Sequence, residues 1–294
     1  MAAMNAVTER AGFAYAAIVI ALWSGFVLVS RIGGTSELSP LDITALRFGT
    51  AALVLLPAWL FWKRVPLFNL RMLALALIGG IGYSLSVYAG FHYAPGAHGA
   101  LLVSGLLPFM LALFVWLLLG ETPRRQLQYG LLLIAAGVGC LAFDTFLRGG
   151  EHGGSIALGD ALLVTASLCW ALYTVLIRRW GYPPWETTIG VALLAGLLYL
   201  PVYVLLLPSS LAQAPMMTLL LQAVYQGIFV VIVAMVLYMQ ALVRLGPARL
   251  GAMMAMVPAI AGTGVSLVLD EPLTVWLIAG LLLTSSGAWV GVRK

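Results

Sequence analysis

The chain has 294 residues, 63% of them hydrophobic and only 9% charged, with a mean hydropathy of +1.06. That balance excludes an ordinary soluble domain. The net charge of +5 is spread without a basic cluster, so nucleic acid is not a partner.

A hydrocarbon core roughly 30 Å thick takes about 20 apolar residues per helix. Apolar runs broken at charge, Pro and Gly predict ten helices, at roughly 11–31, 40–62, 70–93, 97–119, 126–146, 157–179, 185–207, 216–243, 248–269 and 273–292. Barrel strands would alternate apolar and polar residues over about ten positions. These runs are continuous, so the fold class is all-α integral membrane.

In chain order, the first helix follows Arg10 and carries Trp23 near its middle. Charge ahead of an apolar run resembles a signal peptide. A matching segment around Trp170 lies mid-chain, so the first run is read as a retained helix. The second helix holds Arg47, the one charge inside a span, about two turns from its start. Snorkelling toward Glu37 or Asp42 is the expected role, with capture of a substrate carboxylate at the outer mouth as the rival. The third helix presents Tyr83, Ser84 and Tyr88, with Ser84 and Tyr88 on one face. His92 and His98 flank the next turn and read as interface residues; no acid or thiol joins them, and no metal site is expected.

The fourth and ninth helices each carry a mid-helix proline, Pro108 and Pro258. A proline there cannot donate to the carbonyl four residues earlier, which here belongs to Ser104 and to Met254. The prolines are expected to kink their helices and serve gating. The carbonyls could accept from a substrate ammonium or be satisfied within the protein. Cys140 and Cys169 fall inside spans, as small packing residues do. The sixth helix carries Trp170 and Tyr173, and the eighth Tyr238. Trp59, Trp62, Trp116, Trp180, Trp185, Trp276 and Trp289 lie near helix ends, where indoles settle at lipid headgroups.

The second half repeats the first. Gly12, Trp23 and Arg31 return 147 residues later as Gly159, Trp170 and Arg178. Pro40, Asp42, Thr44 and Pro57 return at 144 as Pro184, Glu186, Thr188 and Pro201. Tyr88, Gly96, Pro108, Glu121, Gly130 and Gly137 return at 150 as Tyr238, Gly246, Pro258, Glu271, Gly280 and Gly287. The repeats are expected over 1–148 and 156–294, joined by a Gly-rich linker at 149–155. Five helices per repeat put the halves in opposite senses. Inverted repeats are the plan of secondary transporters, with the site between them near the midplane.

Orientation follows from Lys and Arg. With the N-terminus cytoplasmic, that side collects Arg10, Lys63, Arg64, Arg71, Arg124, Arg125, Arg178, Arg179, Arg244, Arg249, Arg293 and Lys294. Arg31 and Arg148 fall outside, and the C-terminus is cytoplasmic as well. Every Asp and Glu falls at a loop or helix end, so no mid-membrane carboxylate offers a proton relay.

The stretches Pro108 … Gly120-Glu121 … Gly130 … Gly137 and Pro258 … Asp270-Glu271 … Gly280 … Gly287 resemble those of the drug/metabolite transporter superfamily, in its EamA-type branch. The resemblance covers essentially the whole chain. It implies ten helices, inverted five-helix repeats, a bacterial inner-membrane location and metabolite export, with the amino-acid exporters, the aromatic amino-acid exporter among them, as the nearest group. The small four-helix relatives carry a membrane-embedded Glu in the first helix, and the first helix expected here, at 11–31, has none. Sugar-nucleotide or phosphosugar relatives would be expected to place Lys or Arg centrally, and this chain offers only Arg47, read as lying too near the surface. Both departures point to small neutral or zwitterionic cargo.

The expected substrate contacts are Trp23, Tyr83, Ser84, Tyr88, Ser104, Trp170, Tyr173, Tyr238 and Met254. For Trp23 and Trp170, ordinary packing competes with an aromatic wall on either side of a cavity. The expected function is export of amino acids, without cofactor or metal, either downhill or coupled through a less obvious group. Export of lipophilic drugs or cations is the alternative. An integral-membrane enzyme is the alternative of another class, and it lacks a visible nucleophile–base pair or metal cluster.

Overall fold

The computed structural model describes residues 2–147 and 153–292, and no strand occurs among them. Nine helices among the described residues are long and apolar enough to cross a membrane. They are α1 (Glu9–Gly34), α2 (Pro40–Phe61), α3 (Leu70–Tyr93), α4 (Gly96–Leu119), α5 (Arg125–Thr145), α6 (Gly154–Trp180), α7 (Pro184–Leu206), α8 (Met216–Gly246) and α9 (Arg249–Leu269). A tenth apolar helix, α10 (Val275–Gly291), is shorter. It starts later than the hydropathy suggests because Thr274 holds its first turn, accepting the Leu277 N–H on Oγ1 at 3.0 Å.

Of the expected linker, residues 149–152 lie outside the described residues, as do Arg148 at the repeat boundary, Arg293 and Lys294. Gly153, Gly154 and Ser155 already belong to the helix that becomes α6.

Local signals set the helix ends. Ser39 and Asp42 form a capping box ahead of Pro40: the Ser39 N–H donates to Asp42 Oδ2 at 2.8 Å, and the Asp42 N–H to Ser39 Oγ at 3.2 Å. Asn69 caps α3 through the Met72 N–H. α4 ends on Gly120 at φ 71° and α9 on Asp270 at φ 52°. Both residues are left-handed, 150 positions apart, and each turns the chain so that the next residue is a glutamate.

Backbone irregularities recur at the same offset. α3 widens into π-type turns over Ala76–Gly82 and α8 over Tyr225–Val233. α4 does so over Ala100–Gly105 and breaks at Leu106; α9 breaks at Ala255–Met256. Pro108 and Pro258 each sit in the first turn after the break. This corrects the mid-helix reading, since a first-turn proline forfeits no helical bond.

Contacts recur in pairs too. Gly12 packs against Arg244 and Leu245, and Gly159 against Tyr93 and Ala94, so α1 lies on α8 as α6 lies on α3. α5 and α10 meet backbone to backbone. A Cβ on Gly287 would stand 2.5 Å from the Gly130 carbonyl oxygen, one on Gly137 2.7 Å from that of Gly280, and one on Gly280 2.9 Å from that of Gly137. Gly130 faces Gly287 while Gly137 faces Gly280, so the two helices run antiparallel. Close approach of this kind needs glycine.

A cavity between the helices

A cavity of about 500 Å³ runs from the middle of the bundle toward the end where α6 finishes and α7 begins. Leu127, Ile177, Pro184 and Gly291 line it toward that end, while Trp23, Arg47, Tyr83, Ser104 and Pro258 line the interior. That size suits a small metabolite.

Aromatic rings form its walls. Trp23 packs on Tyr238 with ring centroids 5.3 Å apart, and Trp170 lies between Tyr83 at 4.9 Å and Tyr173 at 5.2 Å. Trp23 and Trp170 are only half-buried. Of the residues expected at the site, Trp23, Tyr83, Ser104, Trp170, Tyr173, Tyr238 and Met254 line this cavity, with Pro108 and Pro258.

Tyr88 and Ser84 do not. Both are fully buried within the packing of α3. The Tyr88 hydroxyl accepts from Arg47 Nη1 at 3.1 Å, and Ser84 Oγ has no protein partner. Repeat matching placed Tyr88 beside the cavity because Tyr238 is its counterpart. The halves differ here: Tyr238 stacks on Trp23, whereas Tyr83 and Tyr173 take the corresponding place beside Trp170.

Arg47 departs most from expectation, and with it falls the expected difference from sugar-nucleotide relatives, since a cation does line the cavity. It does not snorkel to Glu37 or Asp42; it is 5% exposed and turned into the cavity, with its guanidinium 5.7 Å from the Tyr83 ring centroid. The reason is local. Asp42 accepts from the Ser39 N–H and Oγ, from the Tyr203 hydroxyl and from the Ser210 N–H at 3.2 Å, so its acceptor sites are taken. Arg47 is the only ionised side chain among the lining residues described.

Sequence reasoning also missed a buried amide ladder. Gln222 donates to the Val29 carbonyl at 2.8 Å, and Gln226 to Ser30 Oγ at 3.2 Å, tying α8 to α1. Two glutamines four apart in an apolar helix were the available signal. His98 is no interface residue but is buried, with Nδ1 2.8 Å from Asp160 Oδ1. No cluster of metal-binding side chains occurs among the described residues, and both cysteines are free thiols.

The two ends of the bundle differ. At one, Arg31 Nε donates to Glu271 Oε1 at 2.5 Å and Arg31 Nη1 to the Phe91 carbonyl at 2.7 Å, while Glu271 Oε2 accepts the Gly96 N–H at 2.7 Å. Helices α1, α3 and α4 are thereby tied to the turn between α9 and α10, and none of these residues lines the cavity. At the other, Arg178 and Glu121 pair at 2.6 Å in the open.

Apolar helices of spanning length around a chamber that reaches toward one end fit a multi-pass membrane protein of the transporter class. The EamA-like transporter family model matches the chain over residues 10–143 and again over 157–292, and the chain belongs to that family. It is 26% identical over 257 residues to the uncharacterized transporter YyaM of Bacillus subtilis (strain 168), covering 85% of this chain and 83% of that one. It is 28% identical over 269 residues to the threonine/homoserine exporter RhtA of Escherichia coli (strain K12), covering 86% and 82%. A solved crystal structure with 24% sequence identity superposes at a TM-score of 0.65 over 97% of this chain and 98% of its own, which shows a common fold.

Proposed function

We propose that the protein exports amino acids or similar small zwitterionic metabolites from the cytoplasm by alternating access. In this reading ten helices form two inverted five-helix repeats, over 1–148 and 156–294, in a bacterial inner membrane with both termini cytoplasmic. The antiparallel seam of α5 and α10 and the 150-residue recurrence of the helix breaks support the inversion. The name of the relative RhtA is in keeping with the cargo class.

One observation carries the reading: a chamber walled by aromatic rings from both halves, holding one cation and no carboxylate among its described lining. Apolar side chains gain contact with the rings. The end that the cavity reaches, near Leu127, Ile177 and Pro184, faces the cytoplasm in the charge-based orientation, and the Arg31–Glu271 end closes the outer side. A lining without an acid favours downhill movement over proton antiport, so counterflow needs no pH gradient.

Purified protein in liposomes is expected to show saturable counterflow of a labelled neutral amino acid, inhibited by other neutral amino acids in a panel of twenty. Flux of lipophilic cations instead, with no amino acid competing, would favour the drug-export alternative. Chemical conversion of a labelled lipid or peptide without flux would favour an enzyme. The walls have their own test. Trp23→Phe and Trp170→Phe keep most of the ring volume and are expected to fold normally while changing the order of preferred substrates. Trp62→Phe, 63% exposed at the surface, is expected to leave that order intact. Parental rates for every substrate in both central variants would sink the aromatic wall.

A further inference from the structure

We propose that Arg47 is the anchor for the substrate's carboxylate, so that the cargo of this cavity must carry a free acid group. This deepens the amino-acid reading above and rests on it. A guanidinium withdrawn from water into a membrane bundle is costly unless an anion meets it. Arg47 is buried, yet no carboxylate lies within 4.0 Å of it among the described residues.

Its protein contacts are few. Nη1 donates to the Tyr88 hydroxyl, the Tyr83 ring lies alongside, and Nε has no protein partner. Asp42, the nearest acid along the helix, is consumed by Ser39, Tyr203 and Ser210. The guanidinium thus has Nε unpartnered in a residue that lines the cavity, and a carboxylate matches a guanidinium fork with two parallel hydrogen bonds.

The position is as informative as the chemistry. Arg47 sits about two turns into α2 from the end that Arg31 and Glu271 close, so it marks the deep end of the chamber. Its counterpart 144 residues on is Val191, which lines the cavity too. One wall is charged where the other is apolar, which gives a cargo molecule a direction: acid group toward α2, with Trp170, Tyr83 and Tyr173 beside it to receive an apolar side chain. Cationic amines without an acid group leave the guanidinium without an anion and are repelled by it.

The test is competition against counterflow of labelled L-phenylalanine in liposomes. Unlabelled L-phenylalanine is compared with L-phenylalaninamide and 2-phenylethylamine, which lack the carboxylate. The parent is expected to prefer the acid by at least ~10-fold, the scale of hydrogen bonds to a charged group. Arg47→Met is expected to lose that preference while eluting as a monodisperse species with unchanged thermal stability. Arg47→Lys, which keeps the charge but not the fork, is expected to retain part of it. The acid–amide comparison in the parent needs no variant, so a poorly folding substitution cannot shield the idea. A parent that moves acid and amide alike, or an Arg47→Met protein that still discriminates, overturns the anchor and leaves the transporter reading standing. A parent that moves no amino acid overturns the amino-acid reading itself.

Discussion

The ion pairs Arg31–Glu271 and Arg178–Glu121 are built from matching positions of the two halves, at 2.5 and 2.6 Å, yet they are different objects. The side chains of the first are 16% and 14% exposed, and those of the second 59% and 53%. The first also engages the Phe91 carbonyl and the Gly96 N–H, the latter at the start of α4, where a carboxylate meets the positive end of the helix. Gly246, the counterpart of Gly96, turns away at φ 77°, and Glu121 is held by Arg178 alone among the described residues. The comparison teaches that the pair itself is cheap. What differs is how many orphan backbone groups it completes and how far water is kept from it.

The largest expected effect comes from Glu271→Ala. It strands the Arg31 guanidinium and the Gly96 N–H in a dry site, and should lower unfolding stability in detergent by about 3 kcal/mol. A loss no greater than that of Glu121→Ala would erase the distinction between the ends. A charge swap sharpens it. Arg31→Glu with Glu271→Arg restores the attraction but aims a carboxylate at the Phe91 carbonyl and a cation at the Gly96 N–H, so a deficit of about 1–2 kcal/mol should remain. The same swap at Arg178 and Glu121 is expected to be neutral. Among the single substitutions the smallest effect is that of Arg178→Ala, below about 1 kcal/mol and gone at high salt. Thermal unfolding at two salt concentrations measures all of these on one scale.

Much of this was legible in the chain. Apolar run lengths located the helices to within a few residues, because a bilayer imposes length more strictly than a soluble core does. The paired Trp23 and Trp170, and the glycines at 130, 137, 280 and 287, were visible as recurrences, and the contacts of the glycines in space follow that pattern. Arg47 was not legible in direction. Sequence gives depth along a helix but not which way a side chain turns, and the acid expected to draw it outward was already bound by Tyr203 and Ser210, about 160 positions away. Tyr88 failed for a related reason. Repeat matching assumes equal walls, and Arg47 has no cationic counterpart in the second half. His98 looked like a surface residue because Asp160, which buries it, comes from another helix.

The self-complementary seam of α5 and α10 has a consequence for how such a molecule can diversify. A contact in which two faces exchange places is what a twofold homodimer makes, and here a single polypeptide makes it with itself. In a dimer of identical subunits each new side chain arrives twice, so an arginine facing the central space would confront its own copy across the axis. Joining the two faces in one gene frees each position to vary alone. Val191 at the position that matches Arg47 is that liberty put to use: one cation among the described lining of a chamber whose framework is nearly symmetric, an arrangement closed to any assembly of equal parts.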